Sequence, residues 1–253
     1  MLNRLFDLTG KKAIITGGAQ GLGYAMTAGL LESGVEVAVF DIQDKLAAIV
    51  SEFSGKSFII HGIQGDVSNE QELGEMFAQA MKYLGKIDIL VNNAGITRRH
   101  RADEFPIADW DDIFNVNLRA VFMLCKMVGN EMIKQGKGKI INIASMNSFL
   151  GGINNSAYAS AKGGIALLTK SLASDWAGFG VNVNAIAPGY MDTELNKAII
   201  SDKKRYTSIC QRIPAGKWGT PNDLIGPLLF LASESSNYVN GVVLPVDGGY
   251  LVR

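Results

Sequence analysis

Tyr158 and Lys162 stand four residues apart in Tyr158-Ala159-Ser160-Ala161-Lys162, a spacing that puts a phenol and an ammonium on one face of a helix. A free tyrosine titrates at about pH 10, too high for a good base at neutral pH. A fixed ammonium nearby favours the phenolate and lowers that value. Ser145 follows a run, residues 139–144, that reads as a buried strand, and from there its hydroxyl is placed to hold a substrate oxygen beside the phenol. The three groups make a proton relay. Taken alone the pair is a weak sign: with 7 tyrosines in the chain, a lysine four residues on arises by accident about as often as not, and a surface contact is the alternative.

Such a relay needs elements to position it. Short β-branched runs fall at 13–16, 35–40, 58–60, 87–91, 139–143, 181–186 and 242–246. Longer stretches of helical period lie between most of them, at about 21–33, 43–54, 69–84, 106–135, 155–177 and 221–232. The alternation predicts an α/β fold, a single-domain, Rossmann-like, doubly wound parallel sheet of about seven strands with helices on both faces. No proline-rich, serine-rich or charged linker interrupts the 253 residues, so 1–253 reads as one domain. Helices 106–135 and 155–177 are apolar over much of their surface, which suits helices that bury one face on the sheet and another on a partner subunit. The stretch 190–220 breaks the rhythm. Its position between the last strands reads as a lid over the ligand, against the plainer reading of a helical excursion that only packs.

The strand ends carry further chemistry. Thr16-Gly17-Gly18-Ala19-Gln20-Gly21-Leu22-Gly23 follows the first strand and opens the first helix, where backbone N–H groups and the helix dipole suit a pyrophosphate. Its spacing is GxxxGxG, not the GxGxxG form. Asp41 ends the second strand, placed to accept hydrogen bonds from adenosine ribose hydroxyls and to repel a 2′-phosphate; a turn or helix cap is the alternative. Gln20 is neutral, so no obvious cation in the turn welcomes a phosphate, and both features favour NAD over NADP. Asp66-Val67 reads as a contact for the adenine edge, or as a helix cap. Asn92-Asn93-Ala94-Gly95 reads as a floor under the cofactor, or as an ordinary turn. Gly55-Lys56-Ser57 looks like the tail of a P-loop, but the earlier glycine would fall at Val50 and the tripeptide precedes a strand. No GxSxG elbow is present, which argues against a serine hydrolase.

Composition narrows the partners. Basic and acidic residues number 24 each, for a formal net charge of +0, so no basic stripe points to nucleic acid. Two histidines, His61 and His100, exclude a histidine-rich metal site. Cys125 and Cys210, far apart in sequence, read as free thiols of a reducing compartment. The first residues carry Asp7 and lack an apolar h-region, and no apolar run has the length to span a bilayer. The expectation is a cytoplasmic protein without a membrane partner.

In order and spacing, the 16–23 turn, Asp66, Asn92-Asn93-Ala94-Gly95, Asn117 in Asn115-Val116-Asn117-Leu118, Ser145, Tyr158 with Lys162, and Pro188-Gly189 resemble the short-chain dehydrogenase/reductase family over essentially the whole chain. The resemblance implies an NAD-dependent oxidoreductase acting on CH–OH groups. It implies Tyr158 as general acid/base, Lys162 as the group that lowers its pKa and binds the nicotinamide ribose, and Ser145 as the holder of the substrate oxygen. Asn117 would hold a water linking Lys162 to solvent. Gly17, Gln20, Gly21, Leu22, Gly23, Asp41, Asp66, Val67 and Asn93 would line the rest of the cofactor, and Pro188-Gly189 with Met191 and Thr193 would seat the carboxamide. A homo-oligomer, in this family usually a tetramer, is implied as well.

Ile96-Thr97-Arg98-Arg99, Ile143-Ala144-Ser145-Met146 with Ser148-Phe149, residues 213–219 and the ending 246–253 resemble a subgroup acting on 2-dehydro-3-deoxy-D-gluconate or 2-deoxy-D-gluconate, with gluconate 5-dehydrogenases as near relatives. Arg98-Arg99-His100-Arg101 follows the fourth strand at the edge where ligands sit in such sheets, and arginine suits bidentate binding of a sugar-acid carboxylate. Arg98 is the first candidate; a solvated loop tip or an oligomer contact is the alternative. Asn147, two residues past Ser145, is placed to bond a substrate hydroxyl. The rival readings are a neutral polyol, steroid or acyl thioester as substrate, or a nucleotide-binding regulator without catalysis.

Overall fold

The computed structural model describes residues 5–252, apart from the side chains of Leu195 and Ala198. Strands β1 (Lys12–Thr16), β2 (Glu36–Asp41), β3 (Ile60–Gln64), β4 (Ile89–Asn92), β5 (Gly138–Ile143), β6 (Val181–Pro188) and β7 (Val243–Val246) form one sheet. All are parallel, in the order β3-β2-β1-β4-β5-β6-β7. Helices α1 (Gly21–Glu32), α2 (Leu46–Gly55), α3 (Glu70–Leu84), α4 (Ile107–Phe114), α5 (Ala120–Gln135), α6 (Ser156–Trp176), α7 (Lys197–Ser201), α8 (Lys203–Arg212) and α9 (Ile225–Ala232) complete it.

The near-continuous apolar strands are what a sheet covered on both faces requires. Successive side chains alternate across it. Ile14 and Phe40 join one core with Leu73 of α3, Leu124 of α5 and Ile165 of α6. Their neighbours Ile15 and Val39 join the other, with Leu30 of α1, Phe53 of α2 and Leu228 of α9. Among the described residues, no helix is long and apolar enough to cross a membrane.

Most boundaries fall within a residue or two of expectation. The third strand lies at 60–64, not 58–60, because Ile60 and Ile63 supply the buried positions while Ile59 is exposed. The second strand ends at Asp41, as expected, and Asp41 pairs with Gln64 inside the sheet. The expected helix 106–135 is broken: a π-turn, Asn115–Arg119, separates α4 from α5. The 190–220 stretch holds α7 and α8 and closes on its own apolar cluster of Met146, Ile199, Ile209, Ile213, Trp218 and Tyr250.

A buried polar chain ties the centre of the sheet to the helix bearing the relay. Asn92 Nδ2 donates to Asn142 Oδ1 (2.8 Å), Asn142 Nδ2 to Thr169 Oγ1 (3.0 Å), and Thr169 Oγ1 to Ile165 O (2.8 Å). Each side chain of this series, Asn92, Asn142 and Thr169, has a partner, so the series fixes α6 against β4 and β5 with its burial compensated. The Cys125 thiol contacts the same chain, and burial pushes its pKa up to about 12, which keeps it protonated and unreactive.

Candidate active site

Strand order reverses between β1 and β4, and the loops leaving them part on opposite faces of the sheet, which opens a crevice at the carboxyl ends. A cleft of about 810 Å³ lies there, within the usual size for a small-ligand site. It is lined by Gly17, Gln20, Gly21, Leu22, Gly23, Asp41, Asp66, Val67, Asn93, Arg98, Asn117, Ser145, Tyr158, Lys162, Pro188, Met191 and Thr193. Asn147 is the one candidate that stays outside it. Its backbone N–H donates to Ser145 Oγ (3.1 Å), because residues 146–148 form a 3₁₀ turn capped by Ser145.

The turn after β1 has the shape of an anion cradle. Gly17 and Gly21 hold φ of +64° and +53°, which favour glycine. A methyl at Gly23 would come 1.9 Å from Gly17 O, so that position admits no side chain. A methyl at Gly21 would instead meet nothing nearer than Thr193 Cγ2 at 3.9 Å, so the missing side chain leaves open cleft. No side chain caps the N-terminus of α1 and its first turn holds no acid, so its N–H groups face the cleft without an internal partner. These residues fit the pyrophosphate of a dinucleotide.

Several expected contacts also serve the protein itself. Asp41 is buried; its Oδ2 accepts from Ala19 N–H (2.9 Å) and its Oδ1 from Gln43 N–H (3.0 Å), locking β2 to the glycine turn. Asp66 Oδ1 accepts from the Ser68 N–H and hydroxyl (2.8 and 2.7 Å), a local turn, while the cap of α3 is Asn69. Asn93 Nδ2 donates to Thr16 O and Gly17 O (3.0 and 2.9 Å), joining the loops after β1 and β4. The turn itself holds no cation, but one reaches it from outside: the Lys45 ammonium donates to Gln20 Oε1.

At the other end, Lys162 is buried and its Nζ donates to Ile143 O (2.6 Å), 5.8 Å from the centre of the Tyr158 ring. Burial pushes the ammonium down to about 8. The phenol does not have the lowered pKa expected of it: burial raises it above its ordinary 10, opposed by a hydrogen bond with Ser145 and by the charge of Arg99. The reason is that Lys162 directs its charge at a carbonyl, so low polarity around both groups dominates. Ser148, which the sequence marked only by resemblance and gave no role, ties the two segments together. Its Oγ accepts from Ser145 N–H (3.3 Å) and donates to Lys162 O (2.6 Å).

Asn117 is fully buried in the π-turn, and that widened turn aims its side chain at the strand exit. Its Oδ1 accepts from Ile96 N–H (3.1 Å) and its Nδ2 donates to Ile96 O and Ile113 O (both 2.9 Å). Of the arginines after β4, Arg101 is paired with Asp103 at 2.9 Å. Arg98 lines the cleft, and Arg99, ranked behind it from sequence, is the one whose charge reaches the Tyr158 hydroxyl. Arg98 and Arg99 have no ion pair among the described residues.

A glycine-rich cradle at the strand switch, leading to a phenol, a hydroxyl and an ammonium in one cleft, defines a dinucleotide-dependent oxidoreductase. Residues 11–204 match the short chain dehydrogenase family, and the chain belongs to it. It is 45% identical over 255 residues to a 2-dehydro-3-deoxy-D-gluconate 5-dehydrogenase of Dickeya dadantii, covering 100% of both chains. It is 41% identical over 256 residues to a 5-keto-D-gluconate 5-reductase of Escherichia coli, covering 99% of each. A solved gluconate 5-dehydrogenase of Burkholderia cenocepacia, in complex with NADP and tartrate, superposes with a TM-score of 0.96 at 39% identity over 100% of both chains.

Proposed function

We propose that this oxidoreductase interconverts a secondary alcohol and a ketone on a sugar acid, using NAD. The first substrate is 2-dehydro-3-deoxy-D-gluconate, with 2-deoxy-D-gluconate and gluconate behind it. The observation that carries the reading is the charge pattern after β4: Arg98 lines the cleft, Arg99 follows it and its charge acts on the phenol, and neither has an acidic partner among the described residues. A sugar-acid carboxylate fits such a site better than a steroid or neutral polyol does. The names of the relatives agree with it.

The cradle at residues 17–23, with Asp41, Asp66 and Val67, would hold the adenosine and pyrophosphate, and Pro188, Met191 and Thr193 the carboxamide. Bound NAD supplies a hydride acceptor. Ser145 orients the substrate oxygen, Tyr158 removes its proton, and Lys162 holds positive charge beside the phenolate as it forms. Asn117 keeps the exit of β4 in place and, with a water, links Lys162 to solvent. Asp41 keeps a negative charge where a 2′-phosphate would lie, which supports NAD; Lys45 at Gln20 opposes it, and the Burkholderia relative was solved with NADP. Residues 190–220 serve as a lid over the substrate. Exposed Phe122 on α5 and Leu167 on α6 support a homotetramer built on those helices.

The test is NADH formation by the purified protein with 2-dehydro-3-deoxy-D-gluconate, 2-deoxy-D-gluconate, D-gluconate and an uncharged polyol. Turnover of the deoxy acids supports the first reading, and turnover of gluconate alone moves the substrate to the near relative. Turnover confined to the polyol refutes carboxylate recognition. NAD binding with no turnover at all would favour a non-catalytic role.

A further inference from the structure

The segment that carries Arg98 and Arg99 has no regular structure between Gly95 and Arg101. Apart from Thr97, whose Oγ1 donates to Asn155 Oδ1 at 3.5 Å, its side chains bond locally: Arg98 Nη1 donates to Thr97 O, and Arg101 to Asp103. Among the described residues, one polar side-chain contact from 98–105 reaches a helix. His100 Nε2–H donates to Asp109 Oδ2 at 2.6 Å, and Asp109 sits in the first turn of α4. Both side chains are partly buried, at 35% and 28% exposure, so water competes with this pair less than with a surface contact.

The same imidazole is the first rung of an aromatic series. It meets Phe105 edge-on (centroids 5.0 Å apart), Phe105 meets Trp110 (6.3 Å), and Trp110 stacks on Phe114 (4.8 Å). Phe105, Trp110 and Phe114 pack in the cluster that also holds Ala157, Ala161 and Tyr158. One side of His100 is therefore anchored to α4 and the other to the wall behind the phenol. Its Cα is one peptide, about 3.8 Å, from that of Arg99, so fixing His100 limits how far the guanidinium can swing.

We propose that His100, through Asp109, is a positioning residue that holds the arginine loop so that Arg99 receives the substrate carboxylate beside Tyr158. This rests on the carboxylate reading of the site. Without the tether, two adjacent exposed cations repel each other and are drawn into solvent, away from the phenol. With it, the loop is ordered before the substrate arrives, and less ordering remains to be done on binding.

The experiment compares wild type with His100→Ala, His100→Gln, Arg99→Ala and the Arg99→Ala/His100→Ala pair. Backbone hydrogen exchange over residues 97–104 should quicken about tenfold in His100→Ala, and His100→Gln, which keeps an N–H donor in a similar place, should lie near wild type. In the acid-dependent assay, His100→Ala should raise KM about fivefold with kcat within about twofold and NADH affinity unchanged. In the Arg99→Ala background the same change should add less than about twofold, because the two residues act as a unit. Unchanged exchange, or effects that multiply independently, would overturn the proposal. If Arg99→Ala alone leaves KM unchanged, the carboxylate reading falls and the positioning role with it; quickened exchange would then mark a tether that serves only structure.

Discussion

Lys162→Met should make the cofactor-free protein more stable while removing its activity. Lys162 is 4% exposed, and burial takes its ammonium from its ordinary 10.5 to about 8. At roughly 1.4 kcal/mol per pH unit, a buried charge so perturbed costs about 3 kcal/mol of folding free energy at neutral pH. Methionine keeps the length and apolar stem but gives up the bond to Ile143 O, which costs about 1 kcal/mol. The net expectation is a gain of about 2 kcal/mol, or a rise in Tm of roughly 4–8 °C for a chain of this size. The pH dependence gives the decisive readout. Between about 8 and 10.5 the unfolded chain carries the proton and the folded one does not, so the wild type gains stability as pH rises through that window. The gap between variant and wild type should be full below pH 8, shrink as pH rises, and change sign before pH 10.5, where only the lost bond to Ile143 O remains. Urea melts from pH 6 to pH 10 read it directly, and Lys139, which also falls to about 8, cancels in the difference. A variant less stable than wild type at pH 7, or a gap that stays constant to pH 10, would refute the reasoning.

Tyr158→Phe should cut turnover by about 10²–10⁴ while NADH still binds, measured by steady-state rates and fluorescence titration. With the phenol raised above its ordinary 10, alcohol oxidation by the wild type should accelerate from pH 7 to pH 9 as more phenolate forms, whereas ketone reduction should not; a flat oxidation profile would contradict that assignment. Ser148→Ala removes both bonds of a hydroxyl that joins Ser145 to Lys162, and should cost about 1–2 kcal/mol of stability by denaturant melts and lower kcat more than cofactor affinity. Asp41→Ala should raise the NADP-to-NAD ratio of kcat/KM and Lys45→Ala should lower it; equal ratios in all three proteins would remove both residues from cofactor choice.

The sheet was legible because its strands are short, apolar and separated by helices of clear period. The third strand misled, since Phe58 and Ile59 look more like strand than Ile60-His61-Gly62, yet it is the spacing of Ile60 and Ile63 that meets the core. The break at Asn115 left no mark in hydrophobic period, because a π-turn adds a single residue and the apolar positions resume after it. In the cleft, residue types and order placed the phenol, ammonium, hydroxyl and glycine turn together. The sequence did not show where charge points. Lys162 aims at a carbonyl, Lys45 reaches Gln20 from outside the turn, and the charge of Arg99 acts on Tyr158 while Arg98 lines the cleft.

The π-turn at Asn115–Arg119 makes the helix one residue longer than an α-helical path between the same ends requires. Removing any one of the other four residues beside Asn117 would restore regular winding and leave an unbroken rod able to lie on the sheet. Asn117 would then rotate away from Ile96, and the exit of β4 would lose its clamp. A gap of one position here is thus a deletion that folding tolerates and chemistry does not. In descendants of this gene it would be an early signature of a copy that has kept its shape and left its trade.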